Sequence, residues 1–352
     1  MRLAPLSLPL LRRLDPETAH SVALTGLSLG LGGRAEPQED DGLGVTALGM
    51  RFSNPIGIAA GFDKDARAPA ALARLGFGFV EAGTVTPLPQ DGNPKPRLFR
   101  LPEEGAVINR MGFNNRGLER FQRRLERLRA RSGPGVPFGA NLGINKEGAD
   151  PPRDYARLVR ALGPLSDYLV INLSSPNTPG LRALQQVGRM RELLDAVVAA
   201  SPTRPPLLVK LAPDLEDEAL SDIVETVIAA GVDGLIVSNT LLARPPDLRG
   251  RHAGEAGGLS GRPLRARSTA MLAEIARLSA GRLTLIGCGG IETGADILEK
   301  IRAGASLVQI YTRFAYEGPD MLPRLKRELR AALTANGWSS LEAARLDGSS
   351  RF

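Results

Sequence analysis

A stretch near the middle of the chain combines the pattern of a buried strand with side chains that could bind a ligand. Residues 168–173 (YLVINL) are mostly aliphatic, and the chain then breaks into Ser, Pro and Asn, as a strand does when it ends in a polar loop. This places Asn172, Ser174, Ser175 and Asn177 at the end of a strand. Neutral amides and hydroxyls suit a flat, hydrogen-bonding organic ligand better than a metal ion. A plain Ser/Asn turn would explain these residues equally well, so the rest of the chain must decide.

Eight aliphatic runs alternate with amphipathic runs after residue 44, which predicts a series of βα units. Parallel strands need a covering helix and a right-handed crossover at each step, so the series predicts an α/β fold, a closed (β/α)8 barrel. The predicted strands are Ile56–Gly61, Phe77–Val85, Pro137–Ile144, Tyr168–Ser175, Leu207–Ala212, Gly234–Asn239, Leu283–Gly287 and Ser306–Tyr311. The predicted helices are Ala66–Leu75, Gly117–Arg131, Arg153–Leu162, Arg189–Ala200, Glu216–Ala230, Arg265–Ala280, Gly294–Ala303 and Pro319–Leu333.

Polar residues follow the predicted strands at the end where barrels carry their chemistry. Lys210 lies within the aliphatic run LVKLA, where a buried charge has no structural use, so we expect it to face a ligand. Gly287, Gly289 and Gly290 end the seventh strand, and a helix opens at Gly294. Such a turn predicts a phosphate site built from backbone N–H groups. Cys288 in this turn is interpreted as a small residue rather than a nucleophile.

Two insertions interrupt the βα pattern. Pro87–Asn115 is too long and irregular for a βα loop and predicts a small antiparallel element over the barrel mouth. Leu241–Gly261 follows the sixth strand and contains four glycines in its second half. It is interpreted as a mobile or closely approached loop.

Composition limits the remaining function classes. The 352-residue chain has a single cysteine and two histidines, His20 and His252, which argues against disulfides, thiolate clusters, His-rich metal sites and a Ser-His-Asp triad. The net charge of +7 would suit nucleic acid. However, Glu and Arg alternate over Glu119–Arg131 as on a solvated face, and no nucleic-acid-binding motif is found. We therefore expect neither a metal nor a nucleic-acid partner.

The N-terminal region predicts two short amphipathic helices joined at Asp15-Pro16-Glu17. Arg12 and Arg13 flank the first apolar stripe, which fits a helix at an anionic membrane interface, although packing on the protein's own body is the alternative. Gly33–Gly44 is polar and predicts a linker, so residues 1–40 form a helical segment and 41–352 the barrel. No apolar stretch reaches the ~20 residues of a membrane span, and no secretory signal is recognised, which predicts a cytosolic location.

Six longer motifs stand out along the chain, namely Ala59–Ala66, Glu81–Asn115, Ile171–Arg182, Val209–Leu215, Gly257–Leu264 and Gly304–Thr312. They resemble those of the membrane-associated, quinone-linked class (class 2) of the dihydroorotate dehydrogenase family. The resemblance extends from about Leu14 to Leu333, and Ser175 stands where the soluble class has a cysteine base. The N-terminal helices, which the soluble class lacks, point to the same class.

The resemblance implies an enzyme with one non-covalent FMN that oxidises dihydroorotate to orotate, the redox step of pyrimidine synthesis. Its electron acceptor would be ubiquinone or menaquinone, and the protein would be a monomer bound peripherally to the cytoplasmic face of the inner membrane. Ser175 resembles the base that removes the C5 proton. Because serine alone is a poor base, we expect Thr178 to supply a proton route through a water.

The resemblance also assigns binding residues. Those implied for the substrate are Lys64, Asn109, Arg110, Met111, Gly112, Phe113, Asn172, Asn177, Asn239 and Thr240. Those implied for the cofactor are Ala60, Gly61, Phe62, Asp63, Lys64, Thr84, Asn141, Asn172, Lys210, Ser238, Gly261, Gly290, Tyr311 and Thr312. Those implied for a quinone tunnel are His20, Arg100 and Tyr311.

Two alternatives remain at this stage. One is another FMN barrel, such as an enzyme that reduces dihydropyrimidines or dihydrouridine, against which the Ser-Ser-Pro-Asn loop and the Asn-Arg-Met-Gly-Phe stretch argue. The other is a basic nucleic-acid-binding protein. Bound flavin colour would separate the two classes.

Overall fold

Eight parallel strands close into a barrel in the structure, a computed structural model that describes residues 4–35, 42–131, 133–178 and 180–349, without the side chains of residues 4–7, 346, 348 and 349. The strands are β1 (Val45–Ala47), β2 (Met50–Phe52), β3 (Ile56–Ile58), β4 (Phe79–Val85), β5 (Leu98–Leu101), β6 (Ala106–Asn109), β7 (Phe138–Leu142), β8 (Tyr168–Asn172), β9 (Leu207–Leu211), β10 (Gly234–Val237), β11 (Gly258–Gly261), β12 (Thr284–Cys288) and β13 (Leu307–Ile310). The order around the barrel is β3-β4-β7-β8-β9-β10-β12-β13. The predicted (β/α)8 barrel is therefore confirmed.

Helices cover the barrel and both ends of the chain. They are α1 (Ala4–Arg13), α2 (Pro16–Ser28), α3 (Pro69–Arg74), α4 (Gly117–Arg129), α5 (Pro151–Leu162), α6 (Val187–Ala200), α7 (Leu220–Ala229), α8 (Arg265–Ser279), α9 (Gly294–Arg302), α10 (Thr312–Glu317), α11 (Met321–Ala335) and α12 (Leu341–Ser349). Eight of them correspond to the predicted barrel helices and two to the predicted N-terminal pair. The short α10 and the terminal α12 were not predicted from the sequence.

A two-stranded hairpin, β1–β2, packs at the amino-terminal end of the barrel. Its last residue, Phe52, meets Phe79 edge to face at 5.5 Å between ring centroids, and Phe79 in turn meets Tyr168 at 6.3 Å. All three rings are buried. This end of the barrel is thus filled with apolar side chains, which leaves the opposite end for ligands.

A second antiparallel sheet, in the order β11-β6-β5, lies over the barrel mouth. β5 and β6 come from Pro87–Asn115, so the predicted antiparallel element is confirmed. The second insertion differs from prediction, because Gly258–Gly261 is a strand paired with β6 rather than loop. Its glycines are needed for close approach, since a Cβ added at Gly261 would lie 2.2 Å from the carbonyl oxygen of Gly105.

The N-terminal helices attach to this sheet through polar contacts. Arg97 forms a bidentate ion pair with Glu17 of α2, with Nη2–Oε1 at 2.7 Å and Nε–Oε2 at 3.0 Å. Arg100 donates from Nη1 to the carbonyl oxygens of Arg12 and Leu14, at 3.1 and 3.0 Å. The helix pair is therefore fixed beside the barrel mouth.

Both interpretations of the N-terminal helices find support in their burial. Leu24 and Leu27 are buried in the main core. Large apolar side chains elsewhere in this segment are exposed, namely Leu10 of α1, Val22 of α2, and Leu14, Leu29 and Leu31, which adjoin the helices. Among the described residues, no helix has the length and apolar character needed to span a bilayer. The predicted boundary between residues 40 and 41 lies outside the described residues, because 36–41 are not described.

Adding one methyl group at Gly57 should destabilise the barrel. A Cβ there would lie 2.3 Å from two ring carbons of Phe79, and overpacking of this kind costs ~1–3 kcal/mol. We expect Gly57→Ala to lower the free energy of unfolding, measured by urea titration, by about that amount. The control is Gly188→Ala in α6, where the added Cβ meets nothing within 4 Å and the change should be neutral or stabilising. Equal stability of the two variants would contradict the packing described above.

Candidate active site

A cleft of about 1330 Å³, open solvent at its mouth included, lies between the carboxyl ends of the barrel strands, the antiparallel sheet and α2. Its floor is built from three neighbouring strands. Asn172 donates from Nδ2 to Thr84 Oγ1 at 3.0 Å and to Asn141 Oδ1 at 3.2 Å. Thr84 Oγ1 donates to Asn141 Oδ1 at 2.6 Å. Because β4, β7 and β8 are adjacent in the barrel, these residues meet as a closed, buried polar triad.

A second polar group stands above the floor, in the loops after β8 and β10. Asn239 donates from Nδ2 to Ser174 Oγ at 2.9 Å, and Ser174 Oγ donates to Asn172 Oδ1 at 3.0 Å. Asn177 donates to Asn109 Oδ1 at 3.3 Å, which connects the β8 loop to the antiparallel sheet. The amides predicted from the sequence are therefore brought together around one cavity.

Ser175 lies in the cleft and is only 5 % exposed. Among the described residues its Oγ makes one hydrogen bond, which it accepts from the N–H of Asn177 at 3.3 Å. In the described part of the chain, therefore, neither a histidine nor a carboxylate is hydrogen-bonded to Ser175 Oγ. As a base, Ser175 would therefore depend on a dry site and on a route for the proton.

Two lysines bring positive charge into the cleft. Lys64 donates from Nζ to the carbonyl oxygen of Gly61 at 2.7 Å, and burial lowers the pKa of Lys64 to about 8. Lys210 on β9 is only 6 % exposed, and in the described part of the chain it has neither a hydrogen-bond nor an ion-pair partner. A buried, unpaired cation favours an anionic or electron-rich group in the cleft.

The glycine turn after β12 provides a backbone site at the other end of the cleft. Gly290 has φ +75°, and an added Cβ would lie 2.3 Å from Cβ of Arg265, so only glycine fits. Its buried N–H has no acceptor among the described residues, whereas the N–H groups of Glu292 and Thr293 are already bonded to Asp296 Oδ2 at 2.9 and 2.8 Å. The start of α9 is thus capped by its own side chain, whereas the N–H of Gly290 is open to a ligand. A phosphate site in this turn stays a prediction.

An aromatic wall borders the cleft on the side of α2. His20 meets Phe62 edge to face at 5.0 Å, and Phe62 meets Tyr311 at 5.8 Å. Burial and the nearby charge of Lys64 lower the pKa of His20 to about 3, so the imidazole is neutral at physiological pH. Burial also raises the pKa of Tyr311. This wall is therefore uncharged and suited to an apolar ring.

Comparison with known families decides the identity of this barrel. A family model described as dihydroorotate dehydrogenase matches residues 42–333, which include the whole barrel and the cleft. The chain belongs to the dihydroorotate dehydrogenase family.

Individual members of this family are similar over nearly the full length. The chain is 53% identical over 346 residues to dihydroorotate dehydrogenase (quinone) of Rhodospirillum rubrum, covering 96% of this chain and 93% of that protein. It is 49% identical to the mitochondrial dihydroorotate dehydrogenase (quinone) of Mus musculus, over 96% of this chain and 88% of that protein. Crystal structures of the Eimeria tenella enzyme, ligand-free or with ferulenol, superpose with TM-scores of 0.91 at 42% identity; each covers 94% of this chain, and this chain matches 98% and 94% of them respectively.

Most of the residues predicted from the sequence line the cleft. Those implied for substrate are Lys64, Asn109, Met111, Gly112, Phe113, Asn172, Asn177, Asn239 and Thr240, with the proposed base Ser175. Those implied for cofactor or quinone are His20, Ala60, Gly61, Thr84, Lys210, Ser238, Gly261, Gly290, Tyr311 and Thr312.

Six predicted residues do not line the cleft in this family member, and their contact with a ligand stays a prediction. Phe62 packs behind His20, Asn141 lies beneath Thr84, and Thr178 is buried outside the cleft. The other three are polar residues whose side chains form hydrogen bonds or ion pairs with other groups of the protein. They are Asp63, Arg100 and Arg110.

These three polar side chains hold the frame of the cleft. Asp63 accepts from the N–H groups of Arg67 and Ala68 at 2.8 and 2.7 Å, and Arg100 bonds the carbonyls at the end of α1. Arg110 pairs with Glu255 at 2.8 Å and stands 4.5 Å over the ring of Phe99. Such pairings depend on the directions of individual side chains, which the sequence motif does not reveal.

Some cleft residues were not singled out from the sequence. Ser260 and Gln309 line the cleft and lie within motifs that carried the resemblance. Glu81, buried beneath the floor, accepts from Asn141 Nδ2 at 2.9 Å. Glu81 and Gln309 are polar residues inside otherwise apolar strands, the same signal that identified Lys210.

The neutrality of His20 can be measured directly, because the chain has only two histidines. With its pKa lowered to about 3 by burial and by Lys64, the imidazole should not gain a proton between pH 8 and 5. We expect the His20 Cε1–H resonance in proton NMR to stay constant over this range, with His252→Asn identifying which signal is which. A titration centred near the ordinary value of 6.5 would contradict the burial of this ring.

Proposed function

We propose that this protein oxidises dihydroorotate to orotate with a bound FMN and passes the electrons to a membrane quinone, as a step of pyrimidine synthesis. The observation that carries the proposal is the meeting, in one cleft, of neutral amides, the buried hydroxyl of Ser175 and two lysines. Membership of the dihydroorotate dehydrogenase family supports the substrate, and the printed names of the relatives support the quinone.

The residues of the cleft fit an FMN. The unpaired Lys210 and the polar triad beside it would hold the electron-rich ring system. The unpaired N–H of Gly290 would receive the phosphate, beside Gly261, Tyr311 and Thr312. These backbone positions have no room for a side chain at Gly261 or Gly290. When bound, FMN would supply the capacity to accept a hydride from the substrate.

The amide group around Ser175 suits a dihydropyrimidine ring. Asn109, Asn177 and Asn239 can each donate and accept hydrogen bonds, which matches a ring that alternates N–H and C=O groups. Lys64 would bind the substrate carboxylate, because a charge-assisted hydrogen bond is stronger than a neutral one. The N–H, C=O and carboxylate groups of the substrate would all then have hydrogen-bond partners in the protein.

Ser175 is proposed to take the proton from C5 of the substrate. Its Oγ accepts a hydrogen bond from Asn177 N–H, which fixes the oxygen and leaves its own hydrogen free to be passed on. The buried surroundings exclude bulk water. The proton would then leave toward Thr178 through a water.

The N-terminal helices are proposed to deliver the quinone. His20 of α2 lines the same cleft as Tyr311, and the N-terminal segment also carries exposed apolar side chains, among them Leu10 of α1 and Val22 of α2. Residues 1–40 would form this access segment and 41–352 the catalytic barrel. We propose a monomer that binds peripherally to the cytoplasmic face of the inner membrane and uses ubiquinone or menaquinone.

Loss of the Ser175 hydroxyl should slow the first half-reaction. In anaerobic stopped-flow, dihydroorotate should bleach the flavin absorbance of the wild-type protein, and Ser175→Ala should reduce this rate by about 10²–10⁴, the usual contribution of a general base. The control is Ser166→Ala, a buried serine outside the cleft whose Oγ has no partner among the described residues. An undiminished rate in Ser175→Ala would assign the proton transfer to another group. No bleaching of a bound flavin in wild type would contradict the substrate.

Removal of the N-terminal helices should separate the two half-reactions. Because residues 1–33 contribute His20 and Glu17 to the cleft but none of the amides, a chain lacking them should still be reduced by dihydroorotate. We expect it to lose efficient turnover with a ubiquinone analogue, measured in steady state with detergent or liposomes. Full quinone turnover by the truncated protein would contradict the role given to α1 and α2.

A further inference from the structure

We propose that Glu81 is a positioning residue. It determines which way the NH₂ group and the oxygen of three side-chain amides face, in a series that leads from the inside of the barrel to the ligand cleft. The three amides are those of Asn141, Asn172 and Asn239. The inference rests on the proposed function, because it concerns how the proposed cofactor and substrate are bound. Glu81 itself lies beneath the cleft and is not among its lining residues.

Glu81 is surrounded by hydrogen-bond donors from three other strands. Its Oε1 accepts from Asn141 Nδ2 at 2.9 Å, and its Oε2 accepts from Tyr168 Oη at 3.2 Å and from Gln309 Nε2. Burial raises the pKa of Tyr168 well above its usual value, so this phenol keeps its proton and donates. A carboxylate can only accept, so Asn141 must turn its NH₂ group down toward Glu81.

The direction of Asn141 then determines that of the next amide. With its NH₂ group committed to Glu81, Asn141 presents Oδ1 upward, where it accepts from Thr84 Oγ1 at 2.6 Å and from Asn172 Nδ2 at 3.2 Å. Asn172 must therefore direct its own Oδ1 the other way. There it accepts from Ser174 Oγ at 3.0 Å and from Asn239 Nδ2 at 3.4 Å.

The orientation of Asn239, the last amide of the series, follows in the same way. Asn239 uses its NH₂ group toward Asn172 and Ser174, and its Oδ1 accepts from the N–H of Thr240 at 2.8 Å. A reversal at any amide would face two donors or two acceptors at the next contact, and a buried mispaired polar group is costly. One carboxylate thus sets the polarity of the cleft floor.

The test exchanges the carboxylate and the amide at the base of this series. Asn141→Asp alone places two carboxyl groups against each other, so Oε1 of Glu81 loses its donor. In the double variant Glu81→Gln/Asn141→Asp, the introduced glutamine can donate to the introduced aspartate while its oxygen still accepts from Tyr168 and Gln309. The second oxygen of that aspartate then accepts from Thr84 and Asn172, and the upper amides keep their direction.

We expect Asn141→Asp to weaken FMN binding, measured by fluorescence titration of flavin-depleted protein, by about tenfold to a hundredfold. The double variant should recover most of this loss and regain the orotate-induced change of the flavin spectrum. Tyr168→Phe is the matched control, since it removes a different donor from Glu81 without touching the series, and it should bind FMN like wild type. The single variant Glu81→Gln is not diagnostic, because Gln309 has an unpartnered Oε1 among the described residues and could turn to accept from the new amide.

A double variant that binds FMN as poorly as Asn141→Asp would overturn the proposal. If Asn141→Asp cannot be recovered folded, the double variant must still fold, by circular dichroism and thermal unfolding, and bind FMN, and its failure to do so would equally count against the proposal. The same titration on wild type separates this result from the proposed function. A wild-type protein that takes up no flavin contradicts that function, whereas an unrescued double variant of a flavin-binding protein contradicts only the role of Glu81.

Discussion

The pairing of β13 with β3 is the contact on which the rest of the structure depends. Val308 lies opposite Ile56 in this ladder, so the last barrel strand meets the first and the sheet has no free edge. Closure of a parallel sheet brings all of its carboxyl ends to one rim. Residues that are far apart in the chain, such as Lys64, Asn172 and Tyr311, come together only for this reason.

The same closure buries polar and charged groups, and these groups find their hydrogen-bond partners at different depths below the cleft. Polar and charged groups inside a barrel lose their hydration, and each needs a partner. Below the floor, Glu81 is surrounded by three donors; at the floor, amides and hydroxyls satisfy one another. Lys210 is left without such compensation among the described residues, and we propose that the bound ligand compensates its charge.

Much of this arrangement could be predicted from the sequence, because local patterns carry it. Aliphatic runs of strand length between amphipathic helices predicted the barrel, and Lys210 inside such a run revealed a cleft-facing charge. The β1–β2 hairpin was missed because three-residue strands are too short to show a period. The strand β11 was missed because its pairing with β6 joins segments that are distant in the chain, and its glycines resemble those of a loop. Asp63 and Arg110 show a further limit: motif membership located them near the cleft, but their side-chain directions depend on tertiary partners.

The antiparallel sheet over the mouth is anchored at two places, after β4 and after β10. In the order of the barrel these two strands stand diametrically opposite each other, with three strands between them on either side. The sheet is thus attached to the barrel on two opposite sides, and a segment attached in this way cannot open about a single hinge. Moving this sheet away from the cleft would therefore require changes at both of its attachments to the barrel.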